Sequence, residues 1–423
     1  MTAYAVNPYK GSEDATGWNS AYHVAKYNRV LLFTRKNNQA EIDRFRAENP
    51  RDKVLDNMSF FYFDLPNWVM RIKKISGRRG YVIYYWFWQY YIVNEIKKLQ
   101  LDFDVAHSLN FHSDSQPHFM WKLGKPTVWG PIGHHPKIEK EFLRPYPIIE
   151  LIRDRLYYLI KWSFRKLDPN YRKAVERTDH IIGINSSVQD VISVEQDKFS
   201  IIPAVASELP NYVSRDIKRG FTVLSCGRFV PMKGFDLTIE SFAKFIKSIP
   251  KDKRANIQLK LVGKGKQKGL LERLVVEQGI SEYVSIVDWV ERSEMMNLFN
   301  DSSVFLFPSH EGAGMVIPEA LSYGIPVVCL NNVGPGELID DYSGVRVASL
   351  YREESIVEMA NALMQFYCNP DMLMYKGTKA KQHFNNHLTW TVKAKKFNEI
   401  YDSITHQSDQ GKSQMINYPL LRA

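Results

Sequence analysis

Two doubly wound α/β domains are the architecture this chain predicts, and three observations predict it. Short β-branched runs alternate with helical patterns through both halves of the sequence. At 423 residues the chain exceeds what one compact core holds. A polar stretch carrying proline and glycine, SELPNYVSRDIKRG (Ser207–Gly220), interrupts the rhythm near the middle.

In the first half RVLLFTR (Arg29–Arg35), FDVAHSL (Phe103–Leu109), KPTVWG (Lys125–Gly130) and DHIIGIN (Asp179–Asn185) are apolar, short and closed by polar or glycine residues, as buried strands are. MTAYAV opens the chain as an unusually short first strand, which implies either a truncated strand or a start further upstream. In the second half FTVLSCG (Phe221–Gly227), IQLKLVG (Ile257–Gly263), VSIVDWV (Val284–Val290), VFLFPS (Val304–Ser309) and IPVVCL (Ile325–Leu330) are strands. GFDLTIESFAKFI (Gly234–Ile246) and KGLLERLVVEQ (Lys268–Gln278) are helices between them. Such alternation predicts parallel sheets covered on both faces. The expected division is 1–206 for the first domain, 207–386 for the second, a C-terminal helix at 387–405 and a loosely ordered tail at 406–423.

Composition narrows the class. Hydrophobic residues make up 44% and charged residues 24%, as in ordinary globular proteins. No uninterrupted apolar run reaches the eighteen or so residues of a membrane span. MTAYAVNPYKGSED lacks the basic and apolar regions of a signal peptide. Cys226, Cys329 and Cys368 are too few and too scattered for a disulfide framework or a zinc site. The net charge of +10 suits an anionic partner without choosing among phosphate, nucleic acid and lipid.

Chemistry concentrates in two stretches. In SHEGAGMVIPEALSYG (Ser309–Gly324), Glu311 and Glu319 bracket seven residues that include two glycines and no charge. The run follows a strand, and Pro318 suits the first turn of a helix, where an N–H would go unused. Ligands of open α/β sheets bind at the carboxyl ends of strands, and helix N-termini attract phosphate. A carboxylate on each side could accept hydrogen bonds from sugar hydroxyls. The bland reading is that Glu319 complements the helix dipole and Glu311 is a solvated loop residue. In LSCGRFVPMKGFD (Leu224–Asp236), Arg228 and Lys233 stand just past a strand and before a helix. Two preorganised cations at such a junction are what a diphosphate needs, although surface cations are common.

With LVGKGKQKGLLERL, VSIVDWVERSEMMNLFNDSSVFLFPSHEGAGMVIPEALSYGIPVV and GPGELI, in this order, the second half resembles the retaining family 4 glycosyltransferases of the GT-B fold. The first half resembles a bacterial surface-polysaccharide branch of that family in YAVNPYKGSEDATGWNSAYHVAK and VWGPIGHHPK, with His134 and His135 where that branch often carries glycines. The resemblance implies two Rossmann-like domains facing across a cleft, the helix at 387–405 crossing back to the first. It implies that Arg228 and Lys233 hold the donor's diphosphate. Glu311 and the backbone of Gly312, Ala313, Gly314 and Met315 would contact the donor sugar. Glu319 would hold the ribose, Val290 would line the base pocket, and Gly17 would present backbone N–H groups to the phosphate. Net retention in this fold is attributed to front-face attack, so no covalent nucleophile is named.

His107 ends a buried strand in DVAHSLNFHSD, where the family brings a histidine to the sugars, so it is a candidate catalytic residue. It is equally a candidate core histidine, because the second histidine of the family's pair falls at Leu109. The roles of His112, His134 and His135 stay open. Asp102-Phe103-Asp104 mimics a metal motif but precedes its strand, on the wrong edge of the sheet. No other cluster has metal-ligand spacing, so no cofactor and no metal beyond the nucleotide-sugar donor is expected.

Trp68–Lys98 and Ile149–Leu167 mix aromatic and basic residues and suit an anionic headgroup surface. Core helices whose cations snorkel give the same pattern. Nucleic acid is not expected, since no binding motif accompanies these stretches. The expected protein is a cytoplasmic transferase, peripheral on the inner face of the membrane. It would move a sugar to a lipid-linked or saccharide acceptor in surface-polysaccharide synthesis. A sugar-nucleotide epimerase of the same architecture and a non-catalytic nucleotide-binding module remain the alternatives.

Overall fold

The computed structural model describes the chain except residues 67, 71–76, 110–112, 211–219, 349 and 417–423, and gives the backbone alone at 77–81 and 407–416. His112, most of the expected inter-domain stretch and the end of the tail therefore lie outside the described residues. The chain divides into two units. Unit 1 comprises Met1–His134, Leu159–Val205 and Trp390–Ala423, and unit 2 comprises His135–Tyr158 and Ala206–Thr389. The expected break near residue 206 is close to a boundary, and the segment from Trp390 groups with unit 1. His135–Tyr158 departs from the expected continuous first domain. The reason is burial: Ile138, Phe142, Leu143 and Tyr146 belong to the same apolar core as the strands of unit 2.

Unit 1 is built on parallel strands. β1 (Val30–Thr34) pairs with β2 (Met58–Tyr62), and β3 (Ala106–Ser108), β4 (Thr127–Ile132), β5 (His180–Gly183) and β6 (Phe199–Ile201) follow in spatial order. The opening strand is reduced to single bridges from Thr2 to Phe33 and to Ser108, which join the two groups of strands. The Thr2 N–H donates to the His107 carbonyl at 2.8 Å, and the Leu109 N–H donates to the Thr2 carbonyl at 2.9 Å. Helices α1 (Ser12–Val24), α2 (Gln39–Glu48), α3 (Lys53–Asp56) and α4 (Gly77–Lys98) lie between the early strands in sequence. Trp18, Val24, Leu32, Val128 and Phe397 share one core, and Tyr4, Trp88 and Phe119 share another. α5 (Ile148–Leu167) follows β4, its residues up to Tyr158 grouped with unit 2 and those from Leu159 with unit 1, and the Asp168 carboxylate caps α6 (Pro169–Glu176) by accepting from the Asn170 N–H at 2.8 Å.

Unit 2 carries a six-stranded parallel sheet. Its spatial order is β12 (Gly344–Val347), β11 (Val327–Leu330), β10 (Val304–Phe307), β7 (Phe221–Cys226), β8 (Ile257–Val262) and β9 (Val284–Val287). Helices α7 (Phe235–Lys247), α8 (Lys268–Glu277), α9 (Arg292–Asn300), α10 (Ile317–Ser322), α11 (Arg352–Cys368) and α12 (Pro370–His387) supply the connections and cover. α13 (Trp390–Ile416) completes the chain's helices within the described residues. Every side chain of β10 and β11 is buried, as expected for central strands covered on both faces. The order β11-β10-β7-β8 puts the chain's direction reversal at β10 and β7, whose carboxyl ends are therefore the natural ligand position.

Candidate functional site

The two sequence-flagged stretches meet at the carboxyl ends of β7 and β10, which pair directly in parallel. After β7 the chain makes one short turn, Pro231–Lys233, before α7 begins. Gly234 closes that turn with φ 67°, and a Cβ there would stand 2.1 Å from the Pro308 carbonyl oxygen, so only glycine lets the turn sit against the β10 exit. The His310 N–H donates to the Met232 carbonyl at 2.8 Å and closes the same contact from the other side.

This close approach places Lys233 in a buried position, its Nζ 2.5 Å from Glu311 Oε2 and 4.9 Å from the centre of the Phe307 ring. Glu311 is 6% exposed, and its second oxygen, Oε1, is buried with no hydrogen-bond partner among the described residues. A buried carboxylate oxygen without a donor is a place for a ligand hydroxyl. Arg228 lies just past β7, is exposed and forms no ion pair among the described residues. The pair of expected cations is thus unequal: Lys233 is neutralised inside the protein, and Arg228 keeps its charge for an incoming anion.

Beyond Glu311 the loop is held open by its own packing. Gly314 has φ 56°, and a Cβ there would meet Leu338 Cδ1 at 2.8 Å. The Ala313 and Gly314 N–H groups have no acceptor among the described residues, whereas the Gly312 N–H donates to His135 Nδ1 at 2.7 Å. Of the four backbone positions expected to touch a sugar, Gly312 is therefore already engaged. Glu319 sits in the first turn of α10, as the proline predicted, with no hydrogen bond to its carboxylate among the described residues. Burial raises its pKa above the ordinary carboxylate range, and Arg292 opposes the shift. It lines a cavity of about 190 Å³ with Arg292, Met295, Phe299 and Tyr323. Val290 follows β9 and packs half-buried on the core that contains Phe299 and Tyr323.

Two further expected site residues, Gly17 and His107, belong to unit 1. α1 begins at Ser12, so Gly17 lies one and a half turns inside it, where a backbone N–H belongs to the helical ladder. Its N–H is not a free donor, and the first turn of α1 carries Glu13 and Asp14, which repel phosphate. His107 is 1% exposed and satisfied on both ring nitrogens. Its Nε2 donates to the Gly130 carbonyl at 2.8 Å, which leaves Nδ1 to accept from the Tyr401 hydroxyl at 2.6 Å. Burial lowers its pKa to about 3, against a smaller opposing effect of the Gly130 carbonyl. As bonded here, both ring nitrogens of His107 are occupied. Asp102 and Asp104 stand at the amino-terminal approach to β3, and Asp102 meets Lys125 at 3.4 Å.

Sequence reasoning left the role of one partner, His135, open and missed another, Arg292. His135 orients the Gly312 amide, and its only signal was the pair of histidines standing where glycines are usual. Arg292 shares the Glu319 cavity, and nothing in WVERSEMM marks it out. His134 has a different place from its neighbour: its Nδ1 donates to Asp114 at 2.5 Å inside unit 1.

Residues 214–383 match the family model described as glycosyl transferases group 1. Among relatives, a Corynebacterium glutamicum protein is 25% identical over 199 residues. It is named GDP-mannose-dependent monoacylated alpha-(1-6)-phosphatidylinositol monomannoside mannosyltransferase, and the match covers 44% of this chain and 49% of that protein. The chain thus spans about half the length of that relative. Among solved structures, Anabaena HepE in complex with UDP is 13% identical, with TM-score 0.60 over 95% of this chain and 100% of its own. WaaG, a glycosyltransferase involved in lipopolysaccharide biosynthesis, is 18% identical, with TM-score 0.58 over 96% of this chain and 100% of its own. The fold of the chain is the GT-B fold of glycosyltransferases, and the matched family model covers the unit that carries Arg228, Lys233, Glu311 and Glu319.

Proposed function

We propose that this protein is a retaining glycosyltransferase of the family 4 type. It moves a sugar from a nucleotide-diphosphate donor to a lipid-linked or saccharide acceptor during bacterial surface-polysaccharide synthesis, from the cytoplasmic side of the membrane and in peripheral contact with anionic lipid. The observation that carries the reading is the buried Lys233–Glu311 pair beside the uncompensated Arg228, all at the carboxyl ends of β7 and β10. As the donor's sugar bond breaks, negative charge develops on the leaving diphosphate. Arg228 neutralises that charge, and the remaining N–H groups of Lys233, held in place by Glu311, donate to it. Arg228 supplies net positive charge where a metal ion would, and transfer is expected to continue in the presence of a chelator. Glu311 Oε1 accepts from a donor-sugar hydroxyl, the Ala313 and Gly314 amides donate to the sugar, and Glu319 accepts from the ribose. The lipid setting is supported by the phosphatidylinositol-linked substrate in the name of the Corynebacterium relative, and the polysaccharide setting by the lipopolysaccharide role of WaaG.

The test is thermal shift with a panel of nucleoside diphosphates and sugar nucleotides, on the protein and on Arg228→Ala. Binding to the native state raises the midpoint. One base should shift the parent, with the shift reduced or lost in Arg228→Ala. Equal shifts in both proteins would remove Arg228 from the site, and no shift with any nucleotide would end the donor reading.

A further inference from the structure

Helix α5 is inside out. Of its twenty residues the two that are buried are Lys161 and Arg165, while ten large apolar or aromatic side chains are more than a third exposed. Ile152, Leu156 and Ile160 recur every four residues along one side, and Leu159, Trp162 and Leu167 extend the same surface. A surface helix in water buries its apolar stripe and exposes its charges. Here an internal ion cluster holds the opposite orientation. Asp114 is fully buried in unit 1, with Lys161 Nζ at 2.5 Å, Arg165 at 2.7 Å and His134 Nδ1 at 2.5 Å. Turning the helix over would strip this carboxylate of Lys161 and Arg165, a severe penalty for a buried charge.

The geometry points to α5 as a membrane-docking helix that lies in the headgroup region of an anionic lipid leaflet, apolar face down. This deepens the peripheral-membrane contact proposed above. Charge selects the occupant. The helix carries five cations and two carboxylates, and Arg153 and Lys166, near opposite ends, lie among the exposed residues. Arg153 is held by Glu150 at 2.5 Å, whereas Lys166 forms no ion pair among the described residues and, in a chain of net charge +10, is left for an anion. An anionic leaflet accepts that cation and the apolar face together. Trp162 and Tyr157, each about half exposed, are side chains that favour this boundary. No helix among the described residues is long and apolar enough to cross a membrane, so α5 rests on the lipid rather than spanning it.

The test is co-sedimentation of the full chain with vesicles of phosphatidylcholine alone or mixed with phosphatidylglycerol, without donor or acceptor. Binding should require phosphatidylglycerol and weaken with salt. Leu156→Glu/Ile160→Glu, which changes only exposed side chains, should lower the partition coefficient at least tenfold while nucleotide binding stays at the parental level. Unchanged vesicle binding in this variant would overturn the proposal. So would absence of vesicle binding together with a dimer that the same substitutions dissociate. Because the readout involves no sugar transfer, failure of the transferase reading and failure of this one are separable.

Discussion

At the scale of single residues, the site's two cations have opposite roles in stability and should answer mutation differently. Lys233 neutralises a carboxylate that has almost no contact with water. Lys233→Ala would leave Glu311 buried and uncompensated, so we expect a loss of about 3–5 kcal/mol in urea unfolding. Lys233→Met combined with Glu311→Gln removes both charges and should recover most of that loss, while still failing to bind a nucleoside diphosphate. Arg228→Ala, at an exposed position, should leave stability within about 0.5 kcal/mol. A Lys233→Ala protein as stable as the parent would show that the pair is not buried as described. The same reasoning applies to Gly234, whose positive φ and 2.1 Å approach to Pro308 leave no room for a methyl group. Gly234→Ala must move the turn that carries Lys233, so a loss of nucleotide affinity larger than that of Arg228→Ala is the expected outcome in the same titration.

At the scale of elements, α7 and α11 are joined by a buried network that the sequence does not advertise. Arg352 on α11 donates to Glu240 at 2.6 Å and to Asp236 at 3.1 Å, and Asp236 also accepts from the Tyr146 hydroxyl at 2.6 Å. Arg352→Leu would strand Asp236, which is 1% exposed, and should destabilise unit 2 by about 3 kcal/mol or more, measured as a shift in its urea midpoint. Tyr146→Phe removes one neutral donor to this carboxylate and should cost about 1.5–3 kcal/mol. Elements differ in how legible they were for a related reason. Nine of the ten expected strands are present, from β1 to β11, and the tenth, MTAYAV, is reduced to the single bridges of Thr2. The three that were not expected, β2, β6 and β12, each end a row of strands. An end strand is covered less completely, and MSFFY, FSI and GVRV accordingly have exposed or half-exposed positions instead of an unbroken buried run. The glutamates and cations of the site were legible because strand exits and helix starts are local features. The surroundings of His107 are not legible in the sequence because a histidine's partners can lie far along the chain: Tyr401 is 294 residues from His107.

At the scale of the whole molecule, the same buried histidines make stability depend on pH with a sign that follows from their surroundings. His107 and His118 in unit 1 are held neutral down to about pH 3, and His310 in unit 2 down to about pH 4, chiefly by burial. In the unfolded chain each takes up a proton near pH 6.5. Between about pH 6.5 and 4 the unfolded state therefore binds protons that the native state refuses, so stability falls as pH falls. Each such histidine contributes a slope of about 1.4 kcal/mol per pH unit once pH is well below 6.5. Two act in unit 1 and one in unit 2, so these groups make unit 1 the more acid-sensitive. Asp114 adds to the difference lower down. Burial pushes its pKa up, but His134 and Lys161 outweigh this and hold it at about 2, so its contribution is present above the ordinary carboxylate range and is lost only as pH drops towards 2. Urea unfolding at pH 7.5, 6.0 and 5.0, followed by tryptophan fluorescence and by far-ultraviolet circular dichroism, should show midpoints that fall with pH. The two probes should separate at the lower pH as unit 1 unfolds first. His107→Gln keeps a polar side chain but removes the titration, and should flatten the fall of the first transition by about one proton. A slope unchanged by that substitution would mean that His107 is protonated in the native state, which its bonds to Gly130 and Tyr401 do not allow.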